Sequence, residues 1–122
     1  MTNIITKLSR VSFIISILVI EYLATTSMEI EVVQNSWDKL NHFIAFSTLY
    51  ILLYFAKYYT KVFHIVLTLL LYGIQIEIVQ YFIPCRSFSL LDIFADMVGV
   101  LIGYIFIKYS KIEKILLAPK GA

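Results

Sequence analysis

Charged residues and cysteine are scarce in this sequence. Of 122 residues, 15% are charged whereas 61% are hydrophobic, and the mean hydropathy is +0.88. A soluble domain of this size exposes too much surface to hide so many apolar side chains, so lipid must be the solvent for most of the chain. The single cysteine, Cys85, excludes an intrachain disulfide. The net charge of +2 is too small to indicate a nucleic-acid partner.

Linkers, repeats and short catalytic motifs are also missing. No stretch is rich in Gly or Ser and no segment repeats, so the length predicts a single domain over residues 1–122. There is no glycine-rich phosphate loop, and no Ser or Cys stands beside an obvious base. A histidine among scattered acids does not make a metal motif. We therefore expect no metal and no cofactor.

Four apolar segments each approach the ~20 residues that a helix needs to cross ~30 Å of hydrocarbon. There are too few of them for a closed barrel, and an open sheet edge cannot lie in lipid. The sequence therefore predicts an all-α bundle of four transmembrane helices, in which the short later connections make neighbours antiparallel. The predicted spans are about Val11–Met28, Leu40–Ala56, Val62–Ile83 and Leu90–Ile107.

Basic residues predict the orientation of these spans. All but Lys39 and Arg86 lie before span one, between spans two and three, or after span four, and four spans put these three segments on one side. The positive-inside rule makes that side the cytoplasm, so we expect both termini there. A cleaved signal peptide would also begin with Lys7 and Arg10, but the segment Leu23–Ser27 is a poor cleavage site. The other basic residues on this side are Lys57, Lys61, Lys108, Lys111, Lys114 and Lys120.

Polar residues gather at the outer end of the predicted bundle, where helical spacing puts them on one face of each span. Buried charge in hydrocarbon costs at least ~2.5 kcal/mol per residue, so such groups should turn inward to partners or water. We therefore predict one pocket that opens to the outer surface. Its members are Asp38, Lys39 and His42 at the mouth of span two, Glu77 and Gln80 on span three, Asp92 and Asp96 on span four, and the cation Arg86.

Each of these residues also has a purely structural interpretation. Glu77 could lock the bundle by pairing with a cation, and His42 could be an interfacial hydrogen-bonding residue. Asp92 and Asp96 are harder to explain as structural. They stand at i and i+4 and repel, so we expect a shared proton or a cation at that position, which would indicate a function.

Several further residues need no functional explanation. Glu21 could simply lie near the headgroups, and we assign no role to Gln75. The Gly99-x-x-x-Gly103 pair predicts close packing of span four on a neighbouring helix of the bundle.

The segments Trp37–Phe46 and Glu77–Gly103 carry two blocks of polar residues at fixed spacing, and these blocks resemble the VanZ-like family of small bacterial membrane proteins. The first, Trp37–Phe46, is similar to the family's D-K-x-x-H-F-x-x-F signature. The second, from Glu77 to Gly103, is similar to E-x-x-Q, P-G-R-x-x-S/D and D-x-x-x-N-x-x-G-x-x-x-G. Cys85 stands where the family has Gly, and Asp96 stands where it has Asn.

The resemblance implies a multi-pass protein of the bacterial inner membrane. The family's named member confers resistance to teicoplanin, a glycopeptide that binds cell-wall precursors outside the membrane. We therefore expect a protein that binds an anionic lipid-linked cell-envelope molecule, with a role in glycopeptide resistance or envelope homeostasis. The candidate ligand-binding residues are Asp38, Lys39, His42, Glu77, Gln80, Arg86, Ser87, Asp92 and Asp96.

Two other functions fit the same residues. The protein could be a membrane-embedded enzyme acting on a lipid-linked substrate, with Glu77, Asp92 and His42 as acid–base groups. It could instead be a structural or accessory subunit, in which the cluster is a buried network of ion pairs.

Overall fold

The computed structural model describes residues 2–25, 38–83 and 89–116, and all the regular secondary structure in these ranges is helical. Four long helices are followed by one short one, which confirms the predicted all-α class. The helices are α1 (Thr2–Thr25), α2 (Asp38–Ala56), α3 (Val62–Tyr81), α4 (Leu90–Ser110) and α5 (Ile112–Leu116).

Helices α2, α3 and α4 agree with the second, third and fourth predicted spans to within three residues at each end. Helix α1 begins nine residues before the predicted span, because residues 2–10 include polar and charged side chains that lower the hydropathy of this part of the helix. The Nε of Arg10 donates to the carbonyl oxygen of Ala56 at 2.8 Å, and its guanidinium lies 4.7 Å from the ring centre of Tyr58. The predicted residues 26–28 lie outside the described residues.

Local sequence explains where helix α4 begins and ends. Ser89 has an extended backbone (φ −143°), and its hydroxyl oxygen accepts a weak hydrogen bond from the backbone N–H of Asp92 at 3.4 Å. Such a serine satisfies one of the backbone donors that the first turn leaves without partners. At the other end, Lys111 adopts the left-handed conformation (φ 59°) and stops α4 before α5 begins.

Helix α2 lies at the centre of the bundle and packs most extensively on α4, then on α1. It therefore supplies many of the most deeply buried side chains, including Phe46, Leu49, Tyr50 and Leu53. Helix α2 approaches α4 closely at two glycines of α4, Gly99 and Gly103. A Cβ added to Gly99 would lie 2.7 Å from a backbone oxygen of α2.

The outer surface of the bundle is apolar. Helices α3 and α4 are long and apolar enough to cross a membrane, with mean hydropathies of 2.0 and 2.1. A core helix of a soluble protein would bury such a sequence, yet only 28% and 39% of these two segments is buried. Large side chains such as Phe63, Leu71 and Phe94 point outward instead. This distribution is expected where the surrounding solvent is lipid.

Candidate functional site

Five polar side chains meet at one end of the bundle, where the first turns of α2 and α4 lie beside the last turns of α3. We call them the polar cluster. Three of them are almost fully buried, with exposed fractions of 0% for Glu77, 1% for Asp96 and 9% for Asp92. The antiparallel run of α3 against its two neighbours brings these positions to one level. The polar cluster consists of Lys39, His42, Glu77, Asp92 and Asp96.

Lys39 and Asp92 form an ion pair between α2 and α4, through the ammonium group and one carboxylate oxygen. Both side chains are largely covered, with 27% and 12% of their surfaces exposed. An ion pair removed from water in this way stabilises the fold only if its geometry is good and further hydrogen bonds surround it. The position of Lys39 also offsets part of the negative charge that α4 brings to the polar cluster.

His42 lies between the two carboxylates of α4. Its Nδ1 is 2.5 Å from an oxygen of Asp96, and its Nε2 is 3.7 Å from an oxygen of Asp92. The repulsion expected between carboxylates one turn apart is therefore relieved by an imidazole and an ammonium group from α2. A histidine bonded to a buried carboxylate has a defined ring orientation, as in proteins that use imidazole as a base or as a metal ligand.

Glu77 approaches the same site from α3. One of its oxygens, Oε2, accepts a hydrogen bond from the backbone N–H of Ser89 at 3.0 Å. The other, Oε1, is buried and has no hydrogen-bond partner among the described residues. Buried polar atoms without partners are rare and costly in proteins, so this oxygen marks a position where a ligand would be stabilised.

Two small residues that had not been predicted as members of the site, Ser89 and Gly73, also shape this cluster. Ser89 both caps α4 and donates to Glu77. Gly73 on α3 makes room for Asp96, because a Cβ at this position would lie 2.8 Å from one of the carboxylate oxygens. Gly73 shares the helical face of Glu77, so the spacing of four residues was the signal available in the sequence.

Not every predicted member reaches the polar cluster. Gln80 instead bonds α1, donating to the carbonyl oxygen of Ala24 at 2.7 Å. Asp38 begins α2, but its side chain lies outside what the structure describes, and Arg86 and Ser87 lie outside the described residues altogether. A second link from α1 to α3 joins Glu21 to the side-chain amide of Gln75 at 2.8 Å. Neither of these two residues had been assigned a partner.

An apolar cavity of about 250 Å³ adjoins the polar cluster between α1, α2 and α3. His42 belongs to both, since it bonds Asp96 and also lines the cavity. The remaining wall is mainly aliphatic and aromatic, with two amides at its border. It is lined by Ile20, Leu23, Ala24, Asn41, Ile44, Ala45, Phe46, Ile76 and Gln80.

A helical bundle with an apolar exterior and a buried polar cluster at one end defines a helical membrane protein. The family model described as VanZ/LLP1 matches residues 2–113, and the chain belongs to this family. The match extends the resemblance seen in Trp37–Phe46 and Glu77–Gly103 over nearly the whole chain. No curated protein and no solved structure matches the chain significantly.

Proposed function

We propose that the chain crosses the bacterial inner membrane four times, with both termini in the cytoplasm and the polar cluster toward the outer surface. The distribution of basic residues supports this orientation. Most of the described basic residues lie at the end of the bundle opposite the polar cluster, where Arg10 contacts the end of α2 and Lys57 lies 4.0 Å from Glu113. Basic ends of this kind remain in the cytoplasm by the positive-inside rule.

The single cysteine allows a direct test of this orientation. Cys85 lies in the connection between α3 and α4, which the proposal puts outside the cytoplasm. We expect a membrane-impermeant maleimide to label Cys85 in intact spheroplasts. The matched control is Thr60→Cys in a Cys85→Ser background, because Thr60 is exposed in the connection between α2 and α3. The introduced cysteine at position 60 should be labelled only after the membrane is permeabilised. Equal labelling of Cys85 and of this control cysteine in intact spheroplasts would contradict the proposal.

We further propose that the protein binds a lipid-linked cell-envelope molecule at its polar cluster, with a role in glycopeptide (teicoplanin-type) resistance or envelope homeostasis. The observation that carries this proposal is that His42 is shared between the carboxylates and the apolar cavity. A molecule with a polar head and a hydrocarbon chain can occupy both. The cavity is smaller than the ~300–1,000 Å³ of typical ligand sites, so it would hold only the part of the chain next to the head.

The polar cluster supports recognition of such a head group. The three buried carboxylates can accept hydrogen bonds from sugar hydroxyls or peptide N–H groups. The anionic part of the ligand is expected at the cations, Lys39 and Arg86. An arginine would bind a phosphate or carboxylate through two parallel hydrogen bonds.

Blocking the cavity tests this proposal. We expect native mass spectrometry of the protein, extracted from its own membrane, to detect a bound lipid-linked molecule that Ile20→Trp reduces at least ~10-fold. Ile14→Trp is the matched control, because Ile14 also belongs to α1 and lines an apolar cavity of about 260 Å³ that has no polar cluster beside it. The proposal would be contradicted if the wild type held no bound lipid, or if both variants lost the bound lipid equally.

A second function is favoured by one observation, the contact between His42 and the buried Asp96. A carboxylate that orients an imidazole is the arrangement that enzymes use for general acid–base catalysis. The same extraction distinguishes the two functions. An enzyme would change the mass of the bound molecule on incubation and would lose that activity in Asp96→Asn, whereas a binding protein would leave the mass unchanged in both.

A further inference from the structure

Three helices each contribute one metal-ligand atom to a small volume inside the polar cluster. A ring nitrogen of His42 and one carboxylate oxygen each from Glu77 and Asp92 all lie within 4.8 Å of one another. Ligands of one ion stand about 3–4 Å apart, given metal–ligand bonds of ~2.0–2.2 Å. The 3.7 Å between His42 Nε2 and Asp92 Oδ1 already falls in that range. We infer that His42, Glu77 and Asp92 bind a divalent transition-metal cation.

The orientation of His42 supports the inference. Its Nδ1 contacts Asp96, whose carboxylate is 1% exposed and therefore held in place. Metal-binding histidines usually donate one ring N–H to a carboxylate and bind the metal with the other nitrogen. Asp96 acts here as a positioning residue, which directs Nε2 of His42 toward Asp92 and Glu77.

Glu77 provides an independent observation. Its side chain is fully buried, and Oε1 has no hydrogen-bond partner among the described residues. A cation is the group that stabilises a buried carboxylate oxygen most strongly. With all three carboxylates ionised and His42 neutral, the polar cluster with its one ammonium group would carry two negative charges. A divalent ion would balance them.

The ligand types indicate which ions fit. One imidazole and two carboxylates suit Zn²⁺ or Mn²⁺ better than Ca²⁺ or Mg²⁺, which bind oxygen ligands almost exclusively. Three protein ligands leave a fourth position for water or for another molecule. This inference departs from the sequence-based expectation of no metal. The ligands come from three helices and are up to fifty residues apart, so no short motif could contain them.

Zinc binding by the purified, tag-free protein in detergent tests the inference. After dialysis against Zn²⁺ and removal of excess, we expect about one zinc per chain by elemental mass spectrometry, and a rise in the midpoint of thermal unfolding. Calorimetric titration should show that Glu77→Gln and Asp92→Asn weaken Zn²⁺ binding at least ~100-fold, and that Asp96→Asn weakens it by ~10–100-fold.

Two control variants remove a similar group elsewhere. Glu21→Gln changes another carboxylate with a buried oxygen that lacks a partner among the described residues, and His64→Gln removes the exposed histidine at the start of α3. Both should bind zinc as the wild type does. Zinc far below one per chain in the wild type would overturn the inference even if the variants failed to fold. Full zinc binding by Glu77→Gln would overturn it as well.

The inference goes beyond the proposed function and does not rest on it, because Zn²⁺ alone is the probe. A protein that binds zinc but retains no lipid would contradict only the proposed function. A protein that retains the lipid but binds no zinc would contradict only the metal site.

Discussion

Replacing His42 by leucine should lower the free energy of unfolding by about 3 kcal/mol. The substitution removes the imidazole that contacts the Asp96 carboxylate at 2.5 Å, while that carboxylate is 1% exposed. A hydrogen bond to a charged group typically contributes ~1.5–3 kcal/mol. We use the upper limit because the Asp96 carboxylate is almost fully buried.

The double variant His42→Leu with Asp96→Asn should recover most of this loss, because it removes the buried charge together with its partner. Unfolding by SDS in mixed micelles measures both free energies. His64→Leu is the control, since His64 is exposed at the start of α3 and its replacement should change stability by less than about 0.5 kcal/mol. If His42→Leu is as stable as this control, the contact with Asp96 does not hold α2 to α4.

Replacing Gly99 by valine should destabilise the protein by about 3 kcal/mol, because the added side chain has no room. A Cβ at this position would lie 2.7 Å from the backbone oxygen of Phe43 and 3.1 Å from the Cβ of Phe46. A backbone oxygen in a helix cannot move aside as a flexible side chain can, so α2 and α4 would have to separate. Overpacking of this kind costs ~1–3 kcal/mol, and valine adds more bulk than the single Cβ.

The same experiment distinguishes close packing from a general intolerance of substitution in α4. Gly103→Val should have a similar effect, since its Cβ would lie 2.9 Å from the backbone oxygen of Ser47. Leu101→Ala, at a position of the same helix that is 54% exposed, should cost less than about 1 kcal/mol. A midpoint of thermal unfolding for Gly99→Val that equals that of Leu101→Ala would contradict the packing argument.

The helical class and three of the four long helices could be predicted from sequence because the hydropathy of each segment by itself indicates the helix. Helices α2, α3 and α4 are apolar runs bounded by polar or helix-ending residues such as Lys57, Pro84 and Ser89. A hydropathy pattern detects such runs directly. It does not detect the first turns of α1, where polar and charged residues interrupt the apolar ones.

Some members of the polar cluster could also be predicted from the spacing of residues within single segments. Spacings of four residues put Asp92 and Asp96 on one face of α4, and Asp38 and His42 on one face of α2. Charges in an apolar helix turn inward, so their convergence could be expected. Gln80 shows where this reasoning ends. It shares a face with Glu77 but bonds α1 instead, because its amide reaches the carbonyl oxygen of Ala24 at 2.7 Å.

Composition and periodicity alone determined that this chain is helical, lipid-exposed and polar at one end, because burial cost and helical spacing act residue by residue. Only the tertiary structure decided which atoms meet across helices. It set α2 against α4 through Gly99 and Gly103, left one oxygen of Glu77 without a described partner, and put His42 between Asp96 and an apolar cavity. Such distances depend on how whole helices pack, and no pattern within one segment contains them.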